Sequence, residues 1–213
     1  MKLNILFMLM ACLMVSCGSG STSNKAQTGE AESSAVIDGN TTGERNVDLS
    51  ASGIHWKGFK PGGGHHGTIS LKKGTLMLRD NAITGGNFVV DMNSIVCEDL
   101  EDAESNGKLV GHLKSPDFFD VEKYPEGVFT ITSVNGSGDQ LNVTGNLTLK
   151  DVTKSITFPA MVSGSGPYTV TVPAFTIDRT QWNVNYGSKN IFKNLKDQFI
   201  NDEIEISVKI VTE

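Results

Sequence analysis

Leu141-Asn142-Val143-Thr144-Gly145-Asn146-Leu147-Thr148-Leu149 places an apolar side chain at every odd position except Gly145 and a polar one at every even position. Alternation with a period of two is typical of a β-strand that buries one face and exposes the other. Ile204-Glu205-Ile206-Ser207-Val208-Lys209-Ile210, near the end of the chain, repeats the pattern. These two stretches predict an all-β protein with one solvent-facing side to its sheet.

Shorter alternating segments extend the prediction in both directions along the chain. They are separated by Gly, Asn, Asp and Pro residues, which are the usual turn signals. The segments are residues 54–59, 68–71, 75–78, 87–92, 128–134, 156–162 and 168–174. Closing such a sheet removes its exposed edges, so we expect an antiparallel, lipocalin-like barrel of eight strands, with up to ten strands in all.

One segment departs from the strand pattern. Between residues 101 and 115 charged side chains cluster, and Leu109, Val110 and Leu113 have the spacing of one apolar helix face. Pro116 should end this helix, because the residue before a proline is pushed out of the α region. We therefore expect one short helix between two groups of strands.

The first 16 residues have the features of an export signal. Lys2 supplies one positive charge, and residues 5–15 are apolar but too few to span a bilayer. Leu13-Met14-Val15-Ser16-Cys17 resembles the bacterial lipobox, which implies that Cys17 is acylated and becomes the first residue of the mature protein. The alternative is an ordinary cleaved signal followed by a chance cysteine.

A lipid-modified Cys17 predicts a location in the bacterial cell envelope. Several acyl chains hold a protein to a membrane durably, so the folded domain need not bind the membrane itself. Gly18 and Ser19 lack the Asp that retains some lipoproteins in the inner membrane, so we expect an outer-membrane anchor facing the periplasm or the cell surface.

Residues 17–43 are expected to form the acylated Cys17 and a flexible tether, and residues 44–213 the folded domain. The tether consists mostly of small and polar residues without an aromatic side chain, a composition that cannot bury enough apolar surface to fold. As a flexible coil it would reach roughly 28 Å.

Charge and cysteine content argue against a nucleic-acid-binding protein and against a reactive thiol. The chain has 24 acidic and 18 basic residues with no Lys/Arg cluster, which argues against nucleic acid as a partner. Cys97 has no partner once Cys12 leaves with the signal and Cys17 is acylated, so we interpret it as a buried apolar residue. A reactive thiol would need a nearby base that the sequence does not identify.

Three separated motifs resemble the YceI-like family. They are His112-Leu113-Lys114-Ser115-Pro116-Asp117-Phe118-Phe119-Asp120 with Lys123-Tyr124-Pro125, residues 143–154, and Ile177-Asp178-Arg179-Thr180-Gln181-Trp182. The likeness covers about residues 46–211. It implies a lipocalin-like barrel whose elongated apolar cavity holds an isoprenoid or fatty-acyl chain for sequestration or transport, with no catalytic residues, required metal or cofactor. A homodimer is also compatible with the sequence.

Large apolar residues on the expected inward faces are the candidates for lining this cavity. They are Ile69, Leu71, Phe88, Val90, Met92, Leu113, Phe118, Phe119, Phe129, Phe175 and Trp182. Several candidates have two interpretations. Phe118 and Phe119 form either a gate or a plug, and Trp182 and Tyr186 either stack on the ligand or close the barrel floor. Arg179 either binds a ligand head group or pairs with Asp178 or another carboxylate.

The histidines admit a metal hypothesis. His65 and His66 lie in a glycine-rich stretch, but adjacent strand residues point to opposite faces and no carboxylate or thiolate lies at ligand spacing nearby. We therefore expect a flexible turn at the barrel rim and no metal. His55 and His112 are isolated, and capping or surface hydrogen bonding is expected of His112. Two alternatives to ligand binding remain: an interaction protein with a filled barrel, and a metal-assisted hydrolase that uses His65 and His66.

Overall fold

Antiparallel pairing between strands that follow one another along the chain organises the fold. The computed structural model describes residues 24–33 and 43–213. In this part of the chain one 13-stranded sheet accompanies one α-helix. The elements are β1 (Asn24–Lys25), β2 (Gln27–Glu30), β3 (Gly43–Asn46), β4 (Gly53–Lys60), β5 (Gly63–Ile69), β6 (Leu71–Arg79), β7 (Ala82–Asp91), β8 (Val96–Cys97), α1 (Ala103–Lys114), β9 (Glu126–Ser137), β10 (Gln140–Leu149), β11 (Val152–Ser163), β12 (Thr169–Asp178) and β13 (Glu203–Val211).

Eight long strands form a closed ring when each of two bent strands is counted once. Only Ser70 separates β5 from β6, and a short 3₁₀ turn, Met92–Ser94, separates β7 from β8. Pairing runs from β4 through β5–β6, β7–β8 and β9 to β13, and β13 pairs with β4 again. The predicted eight-stranded antiparallel barrel is confirmed. With the short strands β1, β2 and β3 the described residues contain eleven strands when each bent strand is counted once, one more than the expected upper limit of ten.

Two tight turns fix the register of consecutive strands. Asp80 and Asn81 join β6 to β7 with φ angles of 49° and 64°, and Lys150 and Asp151 join β10 to β11 with φ angles of 49° and 58°. Positive φ at both central residues defines the type I′ turn, whose twist matches that of the flanking strands. The alternating sequence 141–149 is therefore held in one register against its neighbour.

Gly145 interrupts the alternation of β10 for a steric reason. A Cβ at this position would lie 2.4 Å from the ring of Phe129 and 2.6 Å from the carbonyl oxygen of Thr130. The glycine leaves room for the aromatic ring of the adjacent strand to lie against the backbone. The missing side chain in the apolar series is thus part of the packing of the barrel.

The predicted helix is confirmed as α1. The side chain of Asp102 accepts a hydrogen bond of 2.8 Å from the backbone N–H of Ser105 and caps its first turn. The helix ends at Lys114 with Ser115 as its cap, immediately before Pro116, as the sequence predicts. Among the described residues, none of the helices combines the length and hydropathy needed to cross a membrane.

The expected glycine-rich turn is wrong for residues 63–67, which belong to β5. Gly67 permits an unusually close approach of two strands, since a Cβ there would lie 1.9 Å from the carbonyl oxygen of Val96 on β8. The glycines therefore serve strand contact, and the chain turns earlier, at Gly62, where φ is +80°. Because β5 is extended, the side chains of His65 and His66 start from opposite faces.

The tether prediction is wrong for residues 24–33. Strand β1 pairs in parallel with β12, and β2 pairs antiparallel with β11. Strands β11 and β12 pair with each other at only three positions, Met161–Ser163 against Thr169–Thr171, and the N-terminal segment occupies the space where they diverge. The rest of the expected tether, residues 17–23 and 34–42, lies outside the described residues.

Backbone pairing explains why the composition of this segment misled the prediction. Strand addition satisfies backbone N–H and C=O groups and needs few apolar side chains. The amide of Ala26 donates to the carbonyl oxygen of Thr176 at 2.9 Å, and Ala26 is 5% exposed within the apolar core. One small buried residue and two short ladders are enough to close the wall.

Strand β3 closes a second opening. It pairs with β6, and Val47, which follows it, forms an isolated bridge with Thr212 after β13. The backbone of Val47 also donates to the carbonyl oxygen of Gly74 at 3.0 Å. The segment after the second undescribed stretch thus covers the place where the bent strand β5–β6 leaves β4.

We expect Ala26→Asp to detach the N-terminal segment from the wall, because a carboxylate in the apolar core has no partner there. Hydrogen exchange of the amides in residues 24–30 should become markedly faster and the melting temperature should fall. Thr28→Asp, at an exposed position of the same segment, is the matched control and should leave both unchanged. Equal protection in the two variants would contradict the inserted arrangement.

Candidate ligand-binding cavity

The inward faces of the barrel strands surround a hollow interior. Its volume is about 570 Å³, within the range of roughly 300–1,000 Å³ typical of small-molecule sites. Ile54, Ile156, Val172 and Ile206, from four different strands, are representative of the lining. The lining is apolar because each strand turns alternate residues inward and these positions hold aliphatic or aromatic side chains.

Ten of the eleven predicted cavity residues lie on the cavity wall. They are Ile69, Leu71, Phe88, Val90, Met92, Leu113, Phe118, Phe119, Phe129 and Phe175. Their contact with a ligand stays a prediction.

Trp182 does not line the cavity. It is fully buried in the 3₁₀ turn Arg179–Trp182, and its indole N–H donates to the carbonyl oxygen of Leu147 at 2.9 Å. Of the two interpretations made from the sequence, the structure favours the structural one, because the ring packs in the core and fastens the turn after β12 to β10. An aromatic residue next to a strand end gives no sequence signal that separates these two roles.

Sequence reasoning missed other lining residues, including ten on β4, β11, β12 and β13. Their shared feature is an inward position in an alternating strand, which the sequence pattern contains. They are Ile54, Trp56, Ile156, Phe158, Val172, Ile177, Ile204, Ile206, Val208 and Ile210. The alternation of residues 204–210 could have identified the last four.

A row of aromatic rings stiffens one wall of the cavity. The ring of Phe158 stacks on Phe175 with centroids 4.8 Å apart, and it lies 5.5 Å from Phe129. Phe88 continues the row at 6.4 Å from Phe129. Such ring contacts contribute about 0.5–1.5 kcal/mol each beyond the burial of their area. This wall can therefore keep its shape while the space beside it is not filled by side chains.

Exposed lining residues gather where the cavity opens. Lys60, Tyr186, Asp197 and Gln198 are the exposed members of the lining. Lys60 ends β4, and the other three belong to the connection between β12 and β13. The cavity thus combines an apolar interior with a polar mouth.

Helix α1 and the segment after it bring an aromatic cluster to this mouth. The ring of His112 lies 5.1 Å from that of Phe118 and 4.6 Å from that of Tyr186, and both contacts are edge-on. His112 Nε2 is also 3.5 Å from a carboxylate oxygen of Asp117. Phe118 is only 6% exposed and Phe119 is half-buried, which favours the plug interpretation of this pair.

Arg179 places a buried charge at the edge of the cavity. Its side chain is 2% exposed, and one guanidinium nitrogen lies 3.6 Å from Asp202 Oδ1. Its N–H groups donate to the backbone carbonyls of Val184, Ile200 and Asn201. The expected ion pair is confirmed, and the same side chain ties together both ends of the connection that forms the mouth.

Asp202, rather than the neighbouring Asp178, is in direct contact with the guanidinium. The carboxylate of Asp178 instead accepts hydrogen bonds from the backbone N–H and the hydroxyl of Thr180, at 3.0 and 2.6 Å. Burial lowers the pKa of Arg179, while the charges of Asp202 and Asp178 oppose that change. An arginine stays protonated in such a setting, so the positive charge is held in place mainly by carbonyl oxygens.

We expect Arg179→Met to destabilise the fold by about 3–5 kcal/mol, since it leaves a buried carboxylate without its counter-ion and three carbonyls without a donor. Chemical denaturation would measure the change. Arg45→Met removes an exposed arginine from β3 and should change stability by less than about 0.5 kcal/mol. A similar, small effect of both substitutions would show that Arg179 does not hold the mouth.

Comparison with known proteins agrees with this architecture. The profile of the YceI-like domain matches residues 44–212. Protein YceI of Salmonella arizonae is 42% identical over 80 residues, which are 38% of this chain and 38% of that protein. The alignment therefore spans about two fifths of the length of the curated relatives.

Two solved structures share the fold. BcnA from Burkholderia cenocepacia has a TM-score of 0.60 at 24% identity, covering 78% of this chain and 99% of its own. A polyisoprenoid binding domain from Saccharophagus degradans has a TM-score of 0.57 at 14% identity, covering 79% and 97%. The profile match covers most of the chain, motif resemblance and barrel geometry agree with it, and the chain accordingly belongs to the YceI-like domain family.

Proposed function

We propose that the barrel binds an amphiphile with a long apolar tail, of isoprenoid or fatty-acyl type, for sequestration or transport. The observation that carries the proposal is the apolar cavity of about 570 Å³ with its polar mouth. The tail would lie between the inward faces of the strands. The head group would remain at the mouth, near Lys60, His112 and Tyr186.

The size and polarity of the cavity support this type of ligand. A tail that buries roughly 300 Å² of apolar surface gains about 7 kcal/mol before the cost of association is subtracted. The lining offers few polar groups to orient a compact polar ligand, whereas a flexible hydrocarbon needs only space and apolar contact. The Saccharophagus degradans domain, which shares the fold, is described as polyisoprenoid binding, and this favours an isoprenoid within the class.

The two alternatives from the sequence have less support. An interaction protein with a filled barrel requires a packed interior, and the interior is hollow. A hydrolase built on His65 and His66 requires both rings as ligands of one ion. His65 Nδ1 lies 2.8 Å from the carboxylate of Asp99, whereas His66 Nδ1 is 4.0 Å from the same carboxylate and its side chain is 56% exposed, so only His65 is in close contact there. We therefore propose a binding role without catalysis.

We further propose that the protein is a lipoprotein of the cell envelope, anchored through Cys17 in the outer membrane and facing the periplasm or the surface. Strand β1 begins at Asn24, so seven peptide units separate the anchor from the barrel wall. Fully extended, they span at most about 25 Å. The barrel would then be held close to the lipid from which it takes its ligand.

We expect Ala160→Phe to weaken the binding of a long-chain lipid at least about tenfold, because Ala160 lines the cavity at 2% exposure and the added ring would occupy its space. Fluorescence titration with cis-parinaric acid, and its displacement by an isoprenoid alcohol, would measure the affinity. Ala174→Phe makes the same substitution at an exposed position of β12 and should bind normally. Unchanged affinity in a folded Ala160→Phe protein would refute binding inside the barrel.

We expect Cys17→Ala to separate anchoring from binding. The variant should fold and bind lipid in vitro like the unmodified chain, because Cys17 precedes all the strands of the described residues. In the cell it should leave the membrane fraction and lose its function. Cell fractionation and a lipid titration of the purified variant would test this. Loss of binding in vitro would contradict the independence of anchor and barrel.

A further inference from the structure

The pairing of β5 with β8 brings together three side chains of different chemistry. Gly67 is opposite Cys97 in this antiparallel ladder, and the backbone N–H of Glu98 donates to the carbonyl oxygen of His66 at 2.9 Å. Continuing the register by two residues places Asp99 opposite His65. Because Gly67 has no side chain, the backbone of Val96 and Cys97 can lie directly against it, which brings β8 close to β5.

The resulting cluster is compact. Asp99 Oδ2 lies 2.8 Å from His65 Nδ1, and Asp99 Oδ1 lies 3.2 Å from Cys97 Sγ. One nitrogen, one sulfur and one carboxylate oxygen from the three residues lie within 4.8 Å of one another. The expectation that no carboxylate or thiolate lies near His65 is therefore wrong. The sequence could not show the cluster, because it depends on a register between strands about 30 residues apart.

Burial makes the cluster sheltered but accessible. Cys97 is 7% exposed, while the side chains of His65 and Asp99 are 23% and 21% exposed. The buried state expected of Cys97 is confirmed, and desolvation together with the hydrogen bond to Asp99 raises the pKa of its thiol. A free nucleophile is disfavoured, since the thiol stays protonated at neutral pH.

The carboxylate of Asp99 accepts several hydrogen bonds, and they change its pKa. Its burial favours the protonated carboxyl, but hydrogen bonds from the backbone N–H of His66 and the side chains of His65 and Cys97 outweigh that effect and hold its pKa well below the usual range. The carboxylate is fixed between an imidazole and a thiol, with one oxygen directed to each. A cation at this position would therefore meet oxygen, nitrogen and sulfur atoms together.

We propose that His65, Cys97 and Asp99 form a binding site for a borderline divalent transition metal of the Zn²⁺ class. Imidazole nitrogen, thiolate sulfur and carboxylate oxygen are the ligands that Zn²⁺ takes in proteins, at about 2.0–2.3 Å. Three protein ligands leave the fourth tetrahedral position open, and His65 places the ion at the edge of the lipid cavity.

Binding would exchange one cation for one proton. Cys97 Sγ loses its proton to solvent and bonds to the metal. The imidazole of His65 binds in its neutral form, so the Nδ1 proton that faces Asp99 is transferred through solvent to Nε2, which frees Nδ1 for the ion. The hydrogen bonds that join Asp99 to its two neighbours are replaced by bonds to the metal, and one proton is released in total. The site carries two negative charges from the thiolate and the carboxylate, which balance the charge of the metal. No redox change is involved.

Cobalt provides the most direct test, because a thiolate bonded to Co²⁺ gives an intense near-ultraviolet charge-transfer band. The full chain with Cys12→Ser and Cys17→Ser, purified in detergent, contains Cys97 as its single thiol. Titration with Co²⁺ should produce the band with one equivalent of metal, and Zn²⁺ should displace it. Absence of the band at saturating Co²⁺ would overturn the proposal.

Substitutions of the three metal-ligating residues distinguish Co²⁺ binding at this site from Co²⁺ binding elsewhere on the surface. In the same background, Cys97→Ser should abolish the band, and His65→Ala should weaken Co²⁺ binding by at least about 10–100-fold. Asp99→Asn keeps the shape of the side chain and should weaken binding as well, which provides a test that leaves the buried thiol intact. His55→Ala removes an exposed histidine of β4 and should bind as before. Equal affinity in the His65, Asp99 and His55 variants, with circular dichroism showing folded proteins, would refute the site.

Discussion

Closure of the backbone hydrogen-bond ring is the constraint on which the rest of this structure depends. A sheet with free edges must cover them, and here the two places where the ring is incomplete are covered by the chain's own N-terminal segments. Residues 24–30 occupy the space between β11 and β12, and β3 with Val47 connects β6 to the segment that follows β13. Because the wall is held by backbone bonds, its inward side chains need not fill the interior for the barrel to persist.

A hollow interior has an energetic consequence. Apolar side chains that line an open, unfilled cavity either face water or lack contact atoms, and both states cost free energy relative to a packed interior. A hydrocarbon tail in the cavity would recover much of the lost contact. The barrel wall therefore makes a ligand-sized space, and the energetics favour its occupation by an apolar chain.

The sequence predicted the parts of the molecule that depend on local patterns. The alternation of residues 141–149 and 204–210 identified strands and their inward faces, and Pro116 located the end of α1. The prediction failed where the structure is determined by contacts between segments that are distant in the sequence. The polar composition of residues 24–30 concealed two short strands that are stabilised by pairing. The position of Trp182 gave no indication that the ring packs away from the cavity.

Side-chain chemistry brought together by strand register was equally invisible from the sequence. His65, Cys97 and Asp99 became neighbours only through the pairing of β5 with β8, and Arg179 reached Asp202 across the connection that forms the mouth. Both groups lie at the open end of the barrel or beside it, whereas the interior is aliphatic and aromatic. This separation of polar and apolar parts matches the two ends of an amphiphile.

The most direct test of lipid binding is mass spectrometry of what the barrel carries when the protein is purified from its native cells without added lipid. We expect one dominant class of isoprenoid or long-chain acyl compound, close to stoichiometric with the protein and depleted in the Ala160→Phe variant. A native protein that carries no lipid, and that afterwards takes up neither isoprenoid nor acyl chains, would contradict this expectation.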